Sequence, residues 1–392
     1  VLVFVTHPYH RGGVTSWIKD AFLECQQQNI ATALVTVSPS NPFISGKGRP
    51  TMLEFVDGKK SVIAQSADSR FELGMFDARV MAYQKIIREQ VPKGAVLIPS
   101  DDDACWAACC SLANLFPVLG VLHADDPHYY QLHQKFAQYL AGVVAVSNRI
   151  LKFASPAPEL PAAVIPCGIN MEQFQPGQKE KKILWVGRVE EEQKRVSDVV
   201  KVCEHLQSRH PDWTVEIYGH GDRLPWLESE KKSLGLTNLV LHGWQDAATI
   251  AKAMRQASIL LQTSNYEGMS VAVMEALASG CVIVSSRVSG VEDLEFVASA
   301  QGIVKLYEVG AVAEAVSQLD WFIRNLQTTD ALKSRLLALE HFSIGQCVAS
   351  YESFSQDLKP CANALPFHFS TTKRIASSVL ALIRLIKYNL TK

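Results

Sequence analysis

Short runs of aliphatic residues alternate with stretches of helical period along this 392-residue chain, and the series runs twice. That alternation is the strongest constraint on its fold, because strands apolar on both faces sit only in a parallel sheet covered by helices on each side. In the first series Val1–Val5, Ile30–Val37, Ala95–Pro99, Val118–Leu122 and Gly142–Val146 read as strands. Between them Val14, Trp17, Ile18, Ala21 and Phe22 recur at helical spacing, and Ala78–Glu89, Ala104–Leu115 and Tyr129–Leu140 read as helices. Ser147 is placed to cap a further helix from Asn148, and Asp57-Gly58 within Pro50–Ala64 is a hairpin signal.

The segment Val164–Pro176 carries Pro166, Gly168 and Pro176 with little period, and it reads as a linker. A second series follows, with strands at Lys182–Val186, Thr214–Tyr218, Leu239–His242, Ser258–Gln262 and Val282–Ser285. Its helices fall at Val196–Ser208, Leu224–Leu234, Val271–Ser279 and Val309–Leu326. The expected organisation is an α/β chain of two Rossmann-like domains, 1–165 and 178–343, joined by 166–177. No sequence repetition accompanies the repeated pattern, which excludes a solenoid. Ligands in such folds sit beyond the carboxyl ends of the strands, so the cleft between the domains is the expected site.

Composition narrows the function classes. A hydrophobic fraction of 48%, 20% charged residues and a net charge of −1 describe a folded protein with no general attraction to nucleic acid. The nine cysteines are odd in number, and Cys105, Cys109 and Cys110 lack metal-ligand spacing, so a reduced, cytoplasmic setting is expected. The opening strand lacks the basic and apolar regions of a signal peptide, and no run of ~20 apolar residues offers a membrane span. After Asp357 every charged residue is basic. In that tail, 359–392, Ile375, Val379, Leu382, Ile383, Ile386 and Leu390 recur at helical spacing among Lys373, Arg374, Arg384 and Lys387. Such a segment suits either the inner surface of a membrane, to which the chain would bind peripherally, or packing on protein.

The chemistry concentrates in the second half. Thr263-Ser264-Asn265-Tyr266-Glu267-Gly268-Met269-Ser270 follows a strand and opens a helix, where backbone N–H groups suit a phosphate. Gly268 permits close backbone approach, and Ser270 is placed as the helix N-cap. Glu267 and Glu275 stand eight positions apart, and a carboxylate can accept paired hydrogen bonds from a vicinal diol.

The stretch from Tyr266-Glu267-Gly268 to Glu275-Ala276-Leu277-Ala278-Ser279-Gly280 resembles the Glu-x7-Glu signature of retaining glycosyltransferases of the GT-B fold, family 4 (group 1). The resemblance implies that Glu267 binds the donor sugar, Glu275 the ribose hydroxyls, and Gly268, Met269 and Ser270 the diphosphate. It also implies that Arg188 and Lys194, after the strand that ends at Gly187, neutralise the pyrophosphate. Which of Lys194 and Arg195 points inward stays open. Gly219-His220-Gly221 resembles the family's turn beside the nucleobase, with Trp244 and Gln245 near the base. Gly12 and Gly13, in Arg11-Gly12-Gly13-Val14, match the family's loop at the donor phosphate and sugar; the third glycine of a dinucleotide fingerprint is missing.

His123, at a strand tip, matches a family histidine at the sugar's anomeric carbon; His7, His10 and Arg149 are weaker candidates. Asp101-Asp102-Asp103 contains the Asp-x-Asp metal grip of the GT-A fold, but its position before a helix reads as N-terminal acids. The implied chemistry is metal-independent and cofactor-free. A hexosyltransferase of polysaccharide biosynthesis would move sugar from a UDP- or GDP-type donor to a glycan or lipid-linked acceptor. In this fold a last helix, here 344–358, crosses back to the first domain. The alternatives are a non-catalytic nucleotide-sugar-binding or scaffolding protein and a sugar-nucleotide epimerase of the same architecture.

Overall fold

The computed structural model describes residues 1–7, 13–38, 62–66 and 76–362. Gly12, His10, Asp57-Gly58 and the 373–392 tail lie outside them. Two parallel sheets account for the two series. In the first, β1 (Leu2–Val5), β2 (Thr32–Ser38), β3 (Val62–Ser66) and β4 (Val96–Pro99) take the order β3-β2-β1-β4. A second group, β5 (Leu119–Leu122), β6 (Gly142–Ala145) and β7 (Ala162–Val164), continues it through a bridge between Leu97 and Val118. β3 pairs parallel with β2.

The second sheet orders β8 (Glu180–Val186), β9 (Thr214–Tyr218), β10 (Leu239–Gly243), β11 (Ala257–Gln262), β12 (Val282–Ser286) and β13 (Val304–Tyr307) as β10-β9-β8-β11-β12-β13. Each sheet therefore reverses its winding between its first and fourth strands, β1 and β4 or β8 and β11. The helices after these strands leave to opposite faces, and a crevice opens at their carboxyl ends. The central strands are apolar throughout because helices bury both faces; Phe4, Leu34, Ile183, Leu260 and Ile283 are all inaccessible to water.

Two helices, Ala247–Gln256 and Asp330–His341, and the short edge strands β7 and β13 go beyond the sequence reading. The chain leaves the first sheet after β7 and returns through Phe342 to the helix Ile344–Ser355. The two crossings lie side by side: Ile169 N–H donates to Phe342 O at 2.9 Å, and Ile344 N–H donates to Ile169 O at 3.1 Å. The returning helix packs on the helix Gly13–Gln27, with the Tyr351 and Trp17 rings 5.5 Å apart.

Candidate active site

The loops after β8 and β11 meet at the winding reversal of the second sheet. Gln193 stitches them together: its carbonyl accepts from Asn265 N–H at 2.7 Å and its side-chain amide donates to Tyr266 O at 3.2 Å. Within this frame Lys194 Nζ lies 2.5 Å from Glu267 Oε1, which also accepts from Ser264 Oγ at 2.5 Å. Both charges are largely shielded, their side chains being 16% and 10% exposed. Lys194 is thus the inward cation. Arg195 turns instead to Asp198 at 2.7 Å and Asn265 at 3.2 Å.

Arg188 stands on the rim with its side chain 68% exposed, held by Gln193 at 2.5 Å and near Glu190 at 3.5 Å. Gly187 precedes it, and a Cβ there would meet the Lys194 stem at 3.4 Å. Gly219 and Gly221 are required by close packing, since a Cβ would come 1.8 Å from Gly187 O and 2.2 Å from Val189 O respectively. That turn is therefore pressed onto the loop bearing Arg188. Beyond β10, Trp244 projects with 73% of its surface open, beside His242 stacked on Tyr218 at 4.1 Å.

Ser270 occupies the N-cap position of the helix Val271–Ala278 but caps nothing with its side chain; its hydroxyl bonds Gln262. The first turn is left without a side-chain cap. Gly268 packs against the backbone of the first domain. A Cβ there would lie 1.8 Å from His123 O, and Asp125 N–H donates to Glu267 O at 3.3 Å. Met269, half-buried, packs over Gly290. Glu275, one turn into the helix, is half-buried, and burial followed by the charge of Asp20 pushes its carboxyl up to about 8.

From the first domain, Gly13 opens the helix Gly13–Gln27, and a Cβ on it would meet no described atom. His123 is deeper than a strand tip suggests. It is 8% exposed, its ring lies 4.9 Å from Trp17 and 6.1 Å from Tyr129, and Nδ1 is 3.9 Å from Cys167 Sγ. Burial lowers it to about 3, so the imidazole is neutral near pH 7. Its Nε2 has no hydrogen-bond partner among the described residues. His7 is buried as well. Asp102 caps the helix Asp103–Cys110, accepting from Ala104 N–H at 2.8 Å, and pairs with Arg79. Among the described residues no group of three or more His, Cys, Asp and Glu side chains is arranged to hold a metal.

Residues 169–329 match the family described as glycosyl transferases, group 1. That stretch of the second domain is similar to group 1 glycosyltransferases. The lipopolysaccharide 1,6-galactosyltransferase of Salmonella typhimurium is 27% identical over 208 residues, covering 50% of this chain and 56% of that one. The chain thus spans little more than half the length of this curated relative. The solved lipopolysaccharide outer core galactosyltransferase WaaB superposes with a TM-score of 0.65 at 19% identity, covering 90% of this chain and 98% of that one. Anabaena Alr3699/HepE, solved in complex with UDP, gives 0.68 at 15% identity, covering 90% and 99%. These likenesses establish the GT-B fold over most of the chain.

Three residues at the site had no role in the sequence reading. Gln193 and Ser264 hold Lys194 and Glu267 in place, and both sit beside residues that were read. Asp20, on the first domain's helix, reaches Glu275 only through the fold. No local pattern marks it. Arg149, a candidate for the phosphate or acceptor side, forks onto Glu292 of the second domain.

Proposed function

We propose that the chain is a retaining, metal-independent hexosyltransferase that moves sugar from a UDP- or GDP-type donor to a glycan or lipid-linked acceptor. The observation that carries this reading is the Lys194–Glu267 pair, at the winding reversal beside an uncapped helix N-terminus. A nucleoside diphosphate seated there would lie against the first-turn N–H groups, with Lys194 beneath and Arg188 reaching from the rim. Both cations would stabilise the negative charge that develops on the departing diphosphate. Glu267 would hold the sugar hydroxyls and Glu275 the ribose diol. Gly219 and Gly221 would shape the base pocket, which the open face of Trp244 would flank.

His123, neutral and buried at the end of β5, would offer Nε2–H to the sugar as a hydrogen-bond donor without adding charge. No glutamate is assigned as nucleophile. The acceptor hydroxyl would attack from the face the diphosphate leaves, its proton passing to the leaving phosphate oxygen, and the protein would contribute position and charge stabilisation. The galactosyltransferase relative and the UDP-bound structural neighbour support a nucleotide sugar as donor.

The test is to incubate the protein with UDP- and GDP-hexoses, with and without a lipid-linked glycan, and to measure nucleoside diphosphate release. Acceptor-dependent release with an axial or equatorial product linkage matching that of the donor supports the reading. Tight donor binding without any release would leave a binding protein.

A further inference from the structure

Three successive residues after β6 meet one short segment after β12. Ser147 Oγ is 2.6 Å from Ser289 Oγ, and both residues are inaccessible to water. Asn148 N–H donates to Asp293 Oδ2 at 2.9 Å. Arg149 donates from Nε to Glu292 Oε1 at 2.5 Å and from its terminal nitrogen to the other carboxylate oxygen. The same guanidinium stands 3.9 Å from Asp125 Oδ2, and Asp125 in turn is bonded by Tyr130 OH at 2.5 Å. Asp125 is also the residue whose N–H takes the carbonyl of Glu267.

The Ser147–Ser289, Asn148–Asp293 and Arg149–Glu292 pairings are all polar and join one sheet's loops to the other's, while Arg149–Asp125 and Tyr130–Asp125 brace them from within the first domain. Such a contact can separate without exposing the apolar area that holds a permanent interface together, so it suits a reversible one. Forked guanidinium–carboxylate geometry makes it directional, and partial burial keeps it from being screened like a surface pair. Its position ties it to the main chain of the loop that carries Glu267.

We propose that Ser147–Arg149 and Ser289–Asp293 form a latch that sets how far the cleft opens. Arg149 is its positioning residue, holding Asp125 against the backbone of Glu267. The effect on nucleotide binding rests on the function proposed above; the effect on opening does not.

The experiment is X-ray scattering of the full chain carrying Arg149→Glu, Glu292→Arg or both, with UDP affinity measured on the same samples. Each single reversal should enlarge the radius of gyration and weaken UDP binding on the order of 10-fold. The double variant should be less open and bind UDP more tightly than either single, short of wild type because the carboxylate it puts at position 149 stands beside Asp125. Wild-type scattering from the singles, or a double variant as open as either single, overturns the latch. If the reversals do not fold, Glu292→Gln replaces them, and an unchanged radius in that variant is equally decisive. Scattering changes without UDP binding by any sample, wild type included, would sink the nucleotide reading and leave the latch standing.

Discussion

With a nucleoside diphosphate seated as proposed, lowering the pH from 9 to 6 should loosen the binding of UDP, and Glu275 sets the size of the effect. Its carboxyl is pushed up to about 8, first by burial and then by the charge of Asp20. Only the ionised form accepts two hydrogen bonds from a ribose diol. With that pKa, ~90% is ionised at pH 9 and ~1% at pH 6, so affinity should fall by up to ~100-fold. Asp20→Asn removes the second cause and should move the transition to lower pH, while Glu275→Gln should abolish it. The assay is calorimetric titration with UDP across pH 6–9 for wild type and both variants. UDP's own ionisation is common to all three and divides out. Identical pH profiles for wild type and Glu275→Gln would refute the reasoning. Stability should move the other way. A carboxyl whose pKa is raised on folding stabilises the fold below its unfolded value, near 4.5, and that contribution is lost as pH rises through about 8.

Other perturbations read different parts of the site. Gly268→Ala places a Cβ 1.8 Å from His123 O, 1.6 Å short of the 3.4 Å at which ordinary contact begins, with backbone on both sides. The domains must part, so turnover should collapse and scattering show a larger particle; normal activity would show that the contact is not kept in solution. Lys194→Met strands the shielded Glu267 carboxylate and should lower unfolding stability in urea by about 3 kcal/mol, most of it recovered by adding Glu267→Gln. A loss below ~1 kcal/mol would mean that water reaches the pair. Arg188→Ala, on the exposed rim, should leave stability within ~0.5 kcal/mol yet reduce turnover more than ~10-fold. Near-normal turnover would remove Arg188 from the diphosphate.

The sequence made both sheets legible, because strands apolar on both faces leave few other arrangements. It failed at edges: β7 and β13 are short and only partly buried, and Lys305 interrupts the apolar run of β13. In the site, the loop after β11 could be read because its residues are neighbours in the chain. What could not be read joins distant segments: Asp20 with Glu275, Arg149 with Glu292, and Gly268 with His123. Ser270 shows the limit of local rules. A serine before a helix is a natural cap, but the buried amide of Gln262 competes for its hydroxyl and takes it.

The paired crossings at Ile169 and at Phe342–Ile344 have a mechanical consequence. A single flexible tether lets two bodies swing and twist independently. Two tethers bonded to each other through their main chains resist twist and shear while still allowing rotation about one line. Motion of the second domain relative to the first should therefore reduce to one angle. The loop bearing Glu267 would then return to the same atoms of the loop after β5 after every excursion, with no search among orientations.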